Sequence, residues 1–148
     1  MEEGSPLLPY KKILAAYDGS AESTEALRRA LRLARDLGAE VTAFSVDEHL
    51  PRYARGFGKV EELEGLKKAY FAELRAQALA LASEERGAIK TEAIVGHAAE
   101  SIVGYAQDFG FDLIVIGHSK FSRVWGTLFG STTAGVVDHA RCDVLVVR

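Results

Sequence analysis

Five short apolar runs alternate with stretches of helical periodicity along this chain, and that alternation limits the folds open to it. The runs are Lys12–Tyr17, Glu40–Val46, Ile89–Val95, Leu113–Ile116 and Val144–Val147. Short apolar runs bounded by turn residues, such as Asp18-Gly19-Ser20 after the first and Gly117 after the fourth, read as strands. In Glu40–Val46 neither alternate set is strongly polar, so that strand is expected to be buried on both faces. Ile89–Val95 alternates in part, with Lys90 and Glu92, and reads as an edge strand.

Helical spacing fills the gaps. Leu27, Leu31, Ala34 and Leu37 recur every three or four residues, with Arg28, Arg29, Arg32 and Arg35 interleaved. Ser20 or Ser23 can cap that helix and Gly38 can end it in the left-handed conformation. Leu63, Leu66, Tyr70, Leu74, Ala78 and Leu81 mark a helix over Glu61–Arg86, ended by Gly87. Ile102, Tyr105, Ala106 and Phe109 share one face of a helix over Ala98–Phe109, and Ser131–Ala140 reads as a short last helix. Asp47–Lys59, with Pro51, Gly56 and Gly58, reads as a loop, and Met1–Pro9 as a loose lead-in. Strands separated by helices pack as a parallel sheet with helices on both faces, joined by right-handed crossovers. No repeat, low-complexity tract or linker divides the 148 residues, so a single α/β domain is expected.

Composition narrows the function classes. A net charge of -3 argues against nucleic acid as the main partner. One cysteine, Cys142, allows no internal disulfide and no cysteine metal site, and suits a reducing cytoplasm. Glu2 and Glu3 stand where a signal peptide would carry basic residues, and no apolar run reaches membrane-spanning length. A soluble, cytoplasmic protein with no membrane partner is the expectation.

In parallel sheets of this kind ligands bind past the carboxyl ends of the strands, where the strand order reverses. Asp18 and Gly117 are the polar strand-end groups, and they share one crevice if the first and fourth strands are neighbours. The stretch DLIVIGHSKFSRVWGTLFGS, Asp112 to Ser131, then reads as strand, loop and helix start. Gly130-Ser131-Thr132-Thr133 opens the last helix, where unpaired N–H groups and the dipole attract anions. Other chemistries find no support. There is no GxxxxGK[ST], and Gly56-Phe57-Gly58 lacks a third glycine. Ser119 in GHSKF is not in a GxSxG elbow, and His49, His97, His118 and His139 fall on separate elements without metal spacing. No nucleophile, base and orienter can be assembled, so no dedicated enzyme is expected.

KKILAAYDGS near the start, with DLIVIGHSK, LFGSTT and CDVLVVR near the end, resembles the universal stress protein family over Lys11–Arg148. The resemblance implies an open five-stranded parallel sheet of order 3-2-1-4-5 and a homodimer through the C-terminal strand Val144–Val147. It implies ATP binding, with Mg2+ as a possible companion and at most slow hydrolysis, through a loop of pattern G-x2-G-x9-G-[ST]. The implied nucleotide residues are Ala16, Asp18, Val46, Ile116, Gly117, His118, Lys120, Gly130, Ser131, Thr132 and Thr133. Plainer readings stand beside these. Asp18 can serve only to cap the first helix, Gly117 only to end a strand, and Gly130-Ser131 only to cap the last helix. Thr132 and Thr133 can face solvent, Lys120 and Arg123 can be solvated charges, and Val46 can be core. Trp125, Leu128 and Phe129 can pack the loop onto the sheet or a partner chain. Two functions follow: a nucleotide-binding regulatory module in the stress response, or a nucleotide-independent dimeric interaction protein.

Lys120 occupies the middle glycine position of the loop pattern. Lysine resists the positive φ or close backbone approach a glycine permits, yet its ammonium attracts phosphate. Lys120→Gly is expected to raise ATP affinity in a titration. A fall, by roughly the 1.5–3 kcal/mol of a hydrogen bond to a charged group, would show that the ammonium holds phosphate.

Overall fold

The computed structural model describes residues 10–48, 60–118 and 131–148. Expectations that rest on Met1–Pro9, on positions 49–59, and on Lys120, Arg123, Trp125, Leu128, Phe129 and Gly130 lie outside the described residues. In chain order the elements are β1 (Lys12–Ala16), α1 (Ala21–Leu37), β2 (Glu40–Asp47), α2 (Val60–Glu84) and β3 (Lys90–Val95). They continue with α3 (Ala98–Asp108), β4 (Leu113–Gly117), α4 (Ser131–His139) and β5 (Asp143–Val147). The strands form one sheet of order β3-β2-β1-β4-β5, and every pairing is parallel. The doubly wound α/β architecture and its strand order are as expected.

β1 is central because it carries no polar side chain on either face between its ends. Ile13, Leu14 and Ala15 are fully buried. Ile13 lies between Val41 and Leu113, and Ala15 between Ala43 and Val115. The period of two then sorts side chains to the two layers. Ile13, Ala15, Val41, Ala43, Leu113 and Val115 pack with Leu27 and Leu31 of α1 and Leu74, Ala78 and Leu81 of α2. Leu14, Ala16, Phe44, Ile114 and Ile116 pack with Ile102 and Ala106 of α3 and Val136 of α4. β3 keeps Lys90, Glu92 and Ala93 exposed, as an edge strand should.

The helices follow their sequence signals with four shifts. In α1 the buried face runs through Ala26, Leu27, Ala30, Leu31 and Ala34, while Leu37 is only half-buried. Ser20 caps α1, its Oγ accepting from Ser23 N at 3.1 Å, and Gly38 ends it at φ 70°. Among the described residues of the α2 stripe, Leu74, Ala78 and Leu81 are buried, and Leu66 and Tyr70 are exposed. α2 ends at Glu84, two residues before the expected Arg86, and Arg86 takes the left-handed conformation at φ 58°. Gly87 N–H then donates to Ala82 O at 2.9 Å. In α3, Phe109 falls on the non-helical cap residue, so its ring leaves the buried face. It is 56% exposed and lies against Tyr105 at 4.6 Å between centroids.

The last turn of α2 is fastened to α1 by one carboxylate. Arg32 donates to both oxygens of Glu85, at 2.9 and 3.2 Å, and Arg28 donates to Oε2 at 2.8 Å. Arg35 donates to the Glu85 carbonyl at 2.9 Å. The interleaved arginines of α1 are therefore a clamp as well as a polar face. Hydrogen bonds from Arg32 and then Arg28 lower the Glu85 pKa from 4.5 to about 2. A depressed carboxylate pKa stabilises the fold above the unfolded-state value, and that contribution is lost as pH falls through the folded-state value. Glu85→Gln should lower the melting temperature at pH 7, and the gap to the unsubstituted protein should narrow between about pH 4.5 and pH 2. A gap that stays constant across that range would remove Glu85 as the clamp.

Candidate functional site

In the parallel sheet the helices start at the carboxyl ends of the strands, and a crevice of about 580 Å³ opens among the first turns of α1, α3 and α4. Its floor is the ends of β1, β2 and β4: Ala16, Val46 and Ile116, with Phe44 below. Right-handed crossovers carry the chain from β1 to β2 on one side and bring β4 against β1 on the other, so the strand order reverses here. A volume in the range typical of small-molecule sites follows from that splay.

Gly117 closes one wall, and packing dictates its identity. A β-carbon there would lie 2.6 Å from the Glu22 carbonyl oxygen and 2.7 Å from its carbon. The first turn of α1 thus presses directly on the end of β4. Thr133 ties the same point to α4: its hydroxyl donates to Gly117 O at 3.0 Å, and the side chain is buried, not solvent-facing. Thr132 lines the crevice beside it.

Asp18 lies in the turn between β1 and α1. Its Oδ1 accepts from Ser20 N at 3.0 Å, and its own N–H donates to Ser23 Oγ at 3.2 Å. Gly19, at φ 83°, makes that turn possible. Partial burial pushes the Asp18 carboxyl up, but hydrogen bonds from Ser20 and Ser23 outweigh it and hold the pKa below the ordinary value. Asp18 is therefore an ionised acceptor on the crevice wall. Its bonds order the turn, while the helix cap itself belongs to Ser20.

Of the residues expected at a nucleotide site, Ala16, Asp18, Val46, Ile116, Gly117, Thr132 and Thr133 come together on this wall. Val46 also packs on the core, so both of its readings hold. His118 and Ser131 are not among the lining residues. The His118 N–H donates to Val147 O at 2.7 Å, extending the β4–β5 pairing, and Ser131 is exposed at the start of α4. Lys120 and Gly130 lie outside the described residues.

Asp47, Glu48, Tyr70 and His97 also line the crevice, where the sequence raised no expectation of them. Asp47 and Glu48 follow Val46 directly, so the same strand-end argument reaches them. Asp47 is the last residue of β2 and is 6% exposed. Glu48 turns its carboxylate onto α3, accepting from Ala98 N at 3.0 Å, which supplies the cap that His97 does not. Asp18, Glu22, Asp47 and Glu48 make the described wall acidic, and no Lys or Arg is among its described residues. No group of three or more His, Cys, Asp or Glu suited to a metal ion occurs among the described residues.

Comparison with known proteins agrees with this fold. Residues 9–148 match the model of the universal stress protein family. The chain is 34% identical over 140 residues to universal stress protein MJ0531 of Methanocaldococcus jannaschii, covering 94% of this chain and 82% of that one. UspA from Lactobacillus plantarum has the same fold, with a TM-score of 0.74 at 29% identity over 94% of this chain and 98% of that one. A universal stress protein solved in complex with cAMP gives a TM-score of 0.71 at 25% identity, covering 95% of this chain and 98% of the other. On these grounds the chain belongs to the universal stress protein family.

Proposed function

We propose that the crevice binds an adenine nucleotide, ATP with Mg2+, and that the chain is a nucleotide-dependent regulatory protein of the cytoplasmic stress response. The observation that carries this reading is the convergence of Ala16, Asp18, Val46, Ile116, Gly117, Thr132 and Thr133 on one crevice at the switch point of the sheet. The related protein solved with cAMP supports an adenine ligand.

Each part of such a ligand meets a suitable surface. Ala16, Val46 and Ile116 offer an apolar floor for the base. Asp18, being ionised, accepts from a ribose hydroxyl or the base amine. The first N–H groups of α4 and the Thr132 hydroxyl donate to phosphate. A triphosphate is itself highly charged, so charge compensation by Mg2+ is part of the reading. Without a carboxylate cage among the described residues, Mg2+ would be held chiefly by phosphate oxygens and water.

Calorimetry on nucleotide-stripped protein tests this. ATP should bind with Mg2+ and more weakly with EDTA. Asp18→Ala should weaken binding by roughly 1.5–3 kcal/mol while circular dichroism stays unchanged. No heat of binding from either ATP or cAMP would overturn the proposal. That result would favour the nucleotide-independent reading, which the lysine at position 120 of the loop supports.

The same proposal includes a homodimer. β5 lies at the sheet edge, with Val144, Leu145 and Val146 half-buried, and an apolar edge with unpaired backbone groups invites another strand. Two copies about a two-fold axis would pair β5 antiparallel. Val146→Pro deletes an N–H and should shift sedimentation toward monomer. A protein that is monomeric without the substitution at high micromolar concentration would refute the dimer.

A further inference from the structure

α2 is longer than the sheet it crosses. Its 25 residues span about 37 Å, against about 26 Å for the 8 residues of β2. The stripe that buries Leu74, Ala78 and Leu81 on the sheet therefore continues past the strand ends. There it presents Leu66 and Tyr70, which are 52% and 41% exposed. Tyr70 is not simply a surface residue, because it lines the crevice together with Val46, Asp47 and Glu48. Its backbone neighbour Phe71 is partly buried against the α1–α2 core, with ring centroids 5.5 Å apart, so the position is anchored from below.

A half-exposed aromatic ring on the wall of a crevice, at the β2 side and away from the α4 N-terminus, suits a flat heteroaromatic ligand. We propose that Tyr70 forms the nucleobase wall of the site, the adenine packing its face against the phenol ring. The proposal rests on the nucleotide reading above and adds a residue from α2 to a site otherwise built from strand ends and helix starts. It places the base on the β2 side, and the phosphates then run toward Gly117, Thr132 and Thr133 on the β4 side. It also makes α2 part of the ligand's surroundings. α2 reaches the Asp18 turn a second way, since Tyr17 OH donates to Gln77 Oε1 at 3.1 Å.

The test compares Tyr70→Leu, which keeps apolar bulk without a ring, with Tyr70→Phe, which keeps the ring without the hydroxyl. Both are titrated with ATP and Mg2+ by calorimetry. Stacking on an aromatic side chain predicts that Tyr70→Leu weakens ATP by roughly five- to a hundredfold. Tyr70→Phe should bind within about twofold of the unsubstituted protein, and both ligand-free variants should stay folded by circular dichroism. Undiminished ATP affinity in Tyr70→Leu, or an equal loss in both variants, overturns the stacking role and leaves the nucleotide reading intact. Failure of the unsubstituted protein to bind ATP overturns the nucleotide reading and Tyr70's role with it.

Discussion

The structure depends on a central strand that accepts a parallel partner on both edges and a helix layer on both faces. β1 can do this because Ile13, Leu14 and Ala15 offer apolar side chains to either layer, so nothing polar is stranded by burial. Once β2 and β4 flank it, the crossovers on its two sides must diverge, and the crevice is the space they leave. Its chemistry then comes from whatever follows the strand ends. Here that means Asp18 after β1, Asp47 and Glu48 at the end of β2, and Gly117 at the end of β4. At the opposite end a single carboxylate sets the register. Asp112 accepts from the backbone of Lys11 at 2.9 and 3.1 Å and of Lys12 at 3.0 Å, pinning the start of β1 to the start of β4.

Gly117 shows how one residue can serve fold and site at once. The Glu22 carbonyl leaves no room for a β-carbon, so glycine is required whether or not a ligand ever approaches. The same contact fixes the start of α1 beside the end of β4 and so narrows the crevice at that wall. Thr133 completes the arrangement by spending its hydroxyl proton on Gly117 O. Its reading as a direct phosphate donor is thereby weakened relative to Thr132, whose side chain is half-buried on the wall.

Most of the fold was legible in the sequence because its signals are local. Apolar runs bounded by Gly and Asp gave the strands, and period-3.6 stripes gave the helices, each to within two residues. What escaped was tertiary. The Glu85 clamp joins residues about fifty positions apart, and no local pattern links an acidic residue at one helix end to arginines on another helix. α2 ends at Glu84, two residues before the Arg86 expected from Gly87, and Arg86 takes the left-handed conformation after it. Tyr70 read only as a member of the helical stripe because its spacing matches Leu74 and Ala78. Only the lengths of α2 and β2 together show that the stripe outruns the sheet. In the crevice, strand-end reasoning reached Asp18 and Gly117, and the family resemblance reached Val46, but neither reached Asp47 and Glu48, the two residues after Val46.

Carboxylates at the strand ends give the crevice wall its acceptors. Asp18 and Glu48 bring acceptor oxygens to the crevice wall, where they take the backbone N–H groups of Ser20 and Ala98. The favourable terms on the phosphate side are the α4 N-terminus and hydroxyl donors, each modest alone. The hydroxyls and amine of a nucleoside moiety are donors that carboxylates accept. On the proposed nucleotide reading, the ligand would therefore meet carboxylate acceptors at the ends of β1 and β2, and the hydroxyl and N–H donors of the α4 start beside β4.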